Sequence, residues 1–162
     1  MLSQPQVTGS MPNLMPSVSP MMETLQSRFG SITVDTSKSV LFPRGLLGMP
    51  DKLNFVIAGF PNPKMQQFTL LQSLDDQATS FITLPLNLHN GIIGYPDLKA
   101  ALLDLQIPEA QAAILLITTV HRQMDQAKLS VNARAPLLLN AETRSGTQYV
   151  FQQDRYKVQH ML

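Results

Sequence analysis

A chain of 162 residues with twelve basic and eleven acidic side chains, formal net charge +1, is sized for one domain burying about two thirds of the surface its unfolded form exposes. Near-neutrality provides neither the basic footprint of a nucleic-acid binder nor an acidic solvating shell. The absence of cysteine excludes disulfides and thiolate metal sites, and the longest uninterrupted apolar run, Ala112 to Ile117, is too short to cross a bilayer.

The N-terminal stretch MLSQPQVTGSMPNLMPSVSP carries no lysine or arginine ahead of an apolar core, and Pro5, Pro12, Pro16 and Pro20 interrupt any helix. A secretory signal is therefore not expected, and the cytoplasm is the default location. Residues 1–26 hold four of the twelve prolines and five of the nine methionines but one charged side chain, Glu23. Such a segment has little periodic apolar surface to offset its ordering entropy, so it reads as a disordered arm preceding a domain over residues 27–162.

From Ser27 the texture becomes short β-rich runs separated by turn residues. Ser31, Thr33 and Asp35 alternate with Ile32 and Val34, the period-2 signature of a half-buried strand. Val40 to Phe42 reads as a second strand, and PRGLLGMP, residues 43–50, as a structured loop. Three further strands are expected over 52–60, 67–72 and 79–84. PDLKAALLDLQ, 96–106, sets Leu98, Leu102 and Leu105 at helical spacing, the mark of a packing helix. The run AAILLITTV, 112–120, predicts a central strand buried on both faces. Pro136 opens a strand over 137–141, where a missing N–H is tolerated, and ETRSG, 142–146, predicts a hairpin loop returning through 147–151.

Reactive constellations are sparse. His89, His121 and His160 are scattered without metal-ligand spacing, and no nucleophile elbow, Walker loop or dinucleotide fingerprint occurs. Asp75-Asp76 reads as a solvated turn pair. His121 with Asp125 or Asp104 would matter only in a deep pocket holding titratable groups. Phe29, Phe42, Phe55, Phe68 and Phe81 lie in or beside strand runs rather than in Lys/Arg clusters, which favours core over base stacking. Neither a metal nor a cofactor is expected.

Several stretches carry a more specific signal. FPRGLLGMPD (42–51), LLQSLDD (70–76), VNARAPLLLN (131–140), RSGTQ (144–148) and YKVQHML (156–162) occur in the order and spacing that characterise the flagellar assembly factor FliW family, which residues 27–162 resemble. The resemblance implies a mainly β fold, a compact barrel-like domain of antiparallel strands with one or two short helices. It also implies a cytoplasmic, non-enzymatic regulator that binds flagellin and, in many bacteria, the translational repressor CsrA, with no membrane or direct nucleic-acid role. In that scheme flagellin and CsrA draw on one pool of the factor: accumulating flagellin occupies it and leaves CsrA to repress, and flagellin export frees it again. Position by position, the family pattern falls on Phe42, Pro43, Gly45, Gly48, Leu71, Gln72, Ser73, Asn132, Ala135, Pro136, Asn140 and Gln148.

Of these, Gln72, Ser73, Asn132, Asn140 and Gln148 are the candidate partner contacts, amide or hydroxyl groups that one rim could present to a partner's backbone. Each could equally satisfy a turn of its own chain. This chain departs from the family pattern in its near-neutral charge, which weakens steering toward a basic partner. It also differs at Met49, at Ala133-Arg134, and in its methionine- and proline-containing leader. A domain binding single-stranded RNA directly is the alternative, and it would show exposed aromatics flanked by Lys or Arg on one face.

Overall fold

The structure, a computed structural model, describes residues 20–162. Its strands are β1 (Met22–Ser27), β2 (Gly30–Asp35), β3 (Val40–Leu41), β4 (Asn54–Gly59), β5 (Thr69–Ser73), β6 (Ser80–Leu86), β7 (Ala112–Gln123), β8 (Gln126–Val131), β9 (Leu137–Asn140), β10 (Ser145–Gln148) and β11 (His160–Met161); the single α-helix among the described residues, α1, spans Tyr95–Asp104. The mainly β, barrel-like architecture expected from the sequence is what the chain adopts.

Closure comes from β7. One of its edges pairs with β6 from Ile114 to Thr118, while the other is shared: Ala112–Leu115 pair with β9 and Thr118–Gln123 with β8. Sheet order then runs β7-β6-β5-β4-β3-β10-β9 and returns to β7, with β8 and β11 branching off. The expected all-antiparallel pairing fails at one joint, because β3 and β10 meet in parallel through Leu41 and Ser145. That joint closes the ring, and closure leaves those strands without an open edge.

Neighbouring residues of a strand face opposite sides of the sheet, so β7's continuous apolar run needs cover on both faces. Leu115 points inward to a core with Phe42, Phe55, Leu71, Leu137 and Leu139. Ile114 and Leu116 point outward, where Leu98, Ala101 and Leu102 of α1 and Phe151 and Tyr156 of the C-terminal segment cover them. A third cluster forms where Leu25, Ile32 and Val34 of the β1–β2 hairpin pack on the outer face of β4 and β5 at Val56 and Leu70.

The helix begins at Tyr95 with Pro96 in its first turn, and buries Leu98, Ala101 and Leu102, whereas Leu105 is the half-buried cap residue. Its start is held by the C-terminal segment: the Gly94 N–H donates to Tyr156 Oη at 3.0 Å, the Tyr156 hydroxyl donates to Asp97, and Arg155 pairs with Asp97 at 2.9 Å.

Three strands escape the sequence pattern. Residues 22–26 of the expected arm pair with β2 as part of β1, and residues 1–19 of that expectation lie outside the described residues. β1 has one buried side chain, Leu25, which is too few for visible alternation. β8 and β11 owe their form to pairing with β7 and with each other. The hairpin loop proves shorter than predicted, Ala141–Arg144, with Arg144 at φ 53° absorbing the left-handed step.

Packing inside the ring is tight where β10 crosses Phe42. A Cβ on Gly146 would lie 2.8 Å from Phe42 Cε1 and 3.2 Å from Leu139 Cγ, so only a glycine fits this position. We expect Gly146→Ala to destabilise the fold by about 1–3 kcal/mol through overpacking. Urea unfolding checks this, and an unchanged midpoint would contradict the close approach.

Candidate protein-binding surface

The strand register separates the five candidate contact residues. Gln72, Ser73, Asn132 and Gln148 lie toward one end of the barrel, with the 42–53 loop and the 74–79 turn, and Asn140 lies at the opposite end, paired with Ala112 and Ser145. They do not form one rim.

Each is also bonded within its own chain. Gln72 is fully buried; its Nε2 donates to the carbonyls of Ser73 (2.9 Å) and Gln77 (3.1 Å), and its Oε1 accepts from the Ser80 hydroxyl. The Ser73 hydroxyl, equally buried, accepts from the N–H groups of Asp75 and Asp76 at 3.1 and 3.0 Å. Asn132 Oδ1 accepts from the Ala135 N–H at 3.0 Å, bracing the Asn132–Pro136 bend. Asn140 Oδ1 accepts from Glu142 and Thr143 N–H and its Nδ2 donates to Gln111, fixing the hairpin loop. Gln148 Oε1 accepts from the Leu47 N–H at 2.8 Å and its Nε2 donates to the Ala135 carbonyl at 3.3 Å, pinning the glycine-rich 43–50 loop to β10. Each of the five thus holds a loop or turn of its own chain through at least one side-chain atom.

The acidic pair is architectural too. Asp75 Oδ2 accepts from the backbone N–H groups of Asn54 and Leu53, both at 2.9 Å, and these bonds hold its carboxyl below the ordinary value. The Asp76 carboxyl is lowered chiefly by the Thr79 hydroxyl. The His121 groupings do not assemble: His121 Nε2 meets Ser130 Oγ at 2.6 Å, Asp125 sits in the β7–β8 turn, and Asp104 accepts from the Tyr149 hydroxyl. Among the described residues no group of three or more His, Cys, Asp or Glu side chains is placed to hold a metal ion.

Sequence reasoning missed an open concavity, a groove of about 570 Å³ on the outer face of the sheet. Phe68 and Ile82 are buried at its base, Phe29, Phe60 and Met65 form one side, and Val120, Ala127 and Leu129 of the β7–β8 arm form the other. Val120 and Leu129 are cross-strand partners on the same outward face of β7 that α1 covers further along at Ile114 and Leu116. Among the described residues the outer face is thus roofed by the β1–β2 hairpin at one place and by α1 at another, and the strip between them is open. Lys64 and Arg122 line the groove with Asp125, and Arg28 lies over the Phe29 ring at 4.6 Å. Met124, fully exposed at the tip of the arm, has φ 52°. The alternation of Ala127, Leu129 and Val131 was the available signal for this strand.

A closed barrel with a half-roofed apolar outer face has the form of a binding module. Comparison with known proteins makes this specific. The profile of the FliW protein family matches residues 23–162, and the chain belongs to that family. Flagellar assembly factors FliW from Clostridium botulinum strain Hall are 30% identical over 135 residues, covering 82% of this chain and 91% of theirs. That of Syntrophotalea carbinolica is 28% identical over 144 residues, covering 88% and 99%. A crystal structure of the flagellar assembly factor FliW shares the fold, with a TM-score of 0.63 at 22% identity over 86% of this chain and 96% of that one.

The Asp75 bonds give a pH prediction. Its carboxyl is depressed when folded, so its contribution is present above the unfolded value near 3.8 and is lost as the pH falls through the lower folded value. Asp75→Asn, which imitates the protonated group, should therefore lower the thermal midpoint at neutral pH, with the gap to the parent closing below about pH 4. A gap that persists unchanged into acid would show that the charge is irrelevant.

Proposed function

We propose that this chain is a non-enzymatic, cytoplasmic flagellar assembly factor that binds flagellin and regulates its translation or stability by partner switching, with CsrA as the alternate partner. The observation that carries the reading is family membership over nearly the whole described chain, together with an open apolar groove where no described element roofs the outer sheet face. Linkage supplies the mechanism: a binder whose two partners exclude one another reports the concentration of one through its occupancy by the other. No covalent step is required. Among the described residues no helix is long and apolar enough to span a membrane.

The groove suits a protein segment because it is lined by Phe and Met side chains that adapt to varied shapes and is open among the described residues. The near-neutral charge weakens electrostatic steering toward a basic partner, which favours flagellin over CsrA as the principal partner of this chain. Direct RNA binding has one observation in its favour, the tilted Phe29–Phe60 pair at 5.3 Å with Arg28 above it, and it requires affinity that collapses with salt.

Titration calorimetry with the organism's own flagellin tests the proposal. The parent should bind stoichiometrically with shallow salt dependence, and Val120→Glu, placed on the groove wall at a solvent-accessible site, should weaken binding by at least about tenfold while leaving the fold intact. Failure of the parent to bind flagellin, or a steep salt slope with single-stranded RNA in its place, would overturn it.

A further inference from the structure

A second concavity, of about 280 Å³, opens at the barrel end that carries Asn140. Its floor is apolar: Val40, Ile57, Ala113 and Leu139 line it. Val40, Ala113 and Leu139 belong to the interior core, and Ile57 shares the inward face of β4 with Phe55. The cavity is therefore the mouth of the barrel, one of the places where small barrels accept a guest.

Two cations stand at this mouth, Lys38 and Arg144, and no carboxylate lines it. They come from elements far apart in sequence, the turn after β2 and the β9–β10 loop, yet the fold fixes them together. Arg144 Nη1 donates to the Ser37 carbonyl at 2.9 Å and its backbone carbonyl accepts from the Leu41 N–H, while Arg144 itself holds the uncommon φ of 53°. Neither cation is in an ion pair with a described residue. The carboxylate nearest in sequence, Asp35, is already occupied by Ser37 and the Met21 N–H. An apolar floor beside two positive charges that have no ion-pair partner among the described residues complements an aliphatic side chain followed by a carboxylate.

We infer that the barrel mouth is a second docking point, taking from a protein partner an aliphatic residue adjacent to Asp or Glu, with the aliphatic group over Ile57 and Leu139 and the carboxylate between Lys38 and Arg144. This inference rests on the reading that the chain binds a protein. It assigns a role to the Asn140 end of the barrel that is separate from the outer groove. Isoleucine and alanine on the floor supply the apolar contact, and the guanidinium fork supplies orientation.

The test uses isotope-labelled full-length protein titrated in an NMR tube with the acetylated, amidated hexapeptide Gly-Ser-Leu-Glu-Gly-Ser. Amide shifts should gather at Val40, Ile57, Ala113 and Leu139, and apparent affinity should fall by about threefold to tenfold when glutamine replaces the peptide's glutamate. Lys38→Gln, at an exposed residue without a structural bond, should cause a similar fall, and Arg144→Gln should do the same. Shifts that avoid the mouth, equal affinity for the glutamine peptide, or equally strong shifts with inorganic phosphate alone would each overturn the inference. Flagellin binding by the parent is measured in parallel. If flagellin binds and the hexapeptide does not, only the second docking point fails; if flagellin does not bind at all, it is the proposed function that fails.

Discussion

The architecture depends on one strand that is apolar on both faces. β7 cannot lie at the surface of a simple two-layer fold, because each face of its first half carries side chains that need to leave water. The chain meets that demand by curling the sheet so that Leu115 enters a closed interior and by laying α1 across Ile114 and Leu116. Sharing one edge of β7 between β9 and β8 makes the curl possible, since the strand is long enough to close the ring with its first half and extend an arm with its second. The interior core, the helix and the arm are consequences of a single twelve-residue strand.

The same arrangement explains why an apolar groove is left open among the described residues. An outward apolar stripe that continues past the end of α1 has to be roofed by something, and the β1–β2 hairpin covers only β4 and β5. Val120, Leu129, Phe68 and Ile82 are left around an open groove. Extended apolar concavities of this kind are uncommon on proteins that work alone. Family membership is consistent with that reading, because a flagellar assembly factor acts on other proteins.

Legibility in the sequence followed the strength of local pattern. The stretches over β2 to β7, α1 and the β9–β10 hairpin announced themselves because alternation, helical spacing or a proline at a strand entrance is written in a few adjacent residues. β1 was hidden because Leu25 is its lone buried side chain, and β8 because Gln126, Ala127 and Lys128 are exposed and its pairing with β7 is what makes it a strand. The groove depends on the β7–β8 arm and the β1–β2 turn, and of these only the faint alternation of Ala127, Leu129 and Val131 was written locally. The amides were conspicuous as polar groups beside apolar runs, but sequence cannot tell a turn-forming amide from a partner-facing one. That distinction is a matter of where the hydrogen bonds go: Gln148 reaches Leu47, 101 residues away in the chain. No local pattern encodes such a pairing.

The central claim is that the unroofed outer strip is where a partner lies. Hydrogen–deuterium exchange of the chain alone and with saturating flagellin tests it most directly, because the backbone of the β7–β8 arm is paired on one side and exposed at its tip. The account predicts slowed exchange over residues 119–129 and the neighbouring 60–68 segment on complex formation. Protection confined to α1 and the C-terminal segment, with the arm exchanging as in the free protein, would contradict it.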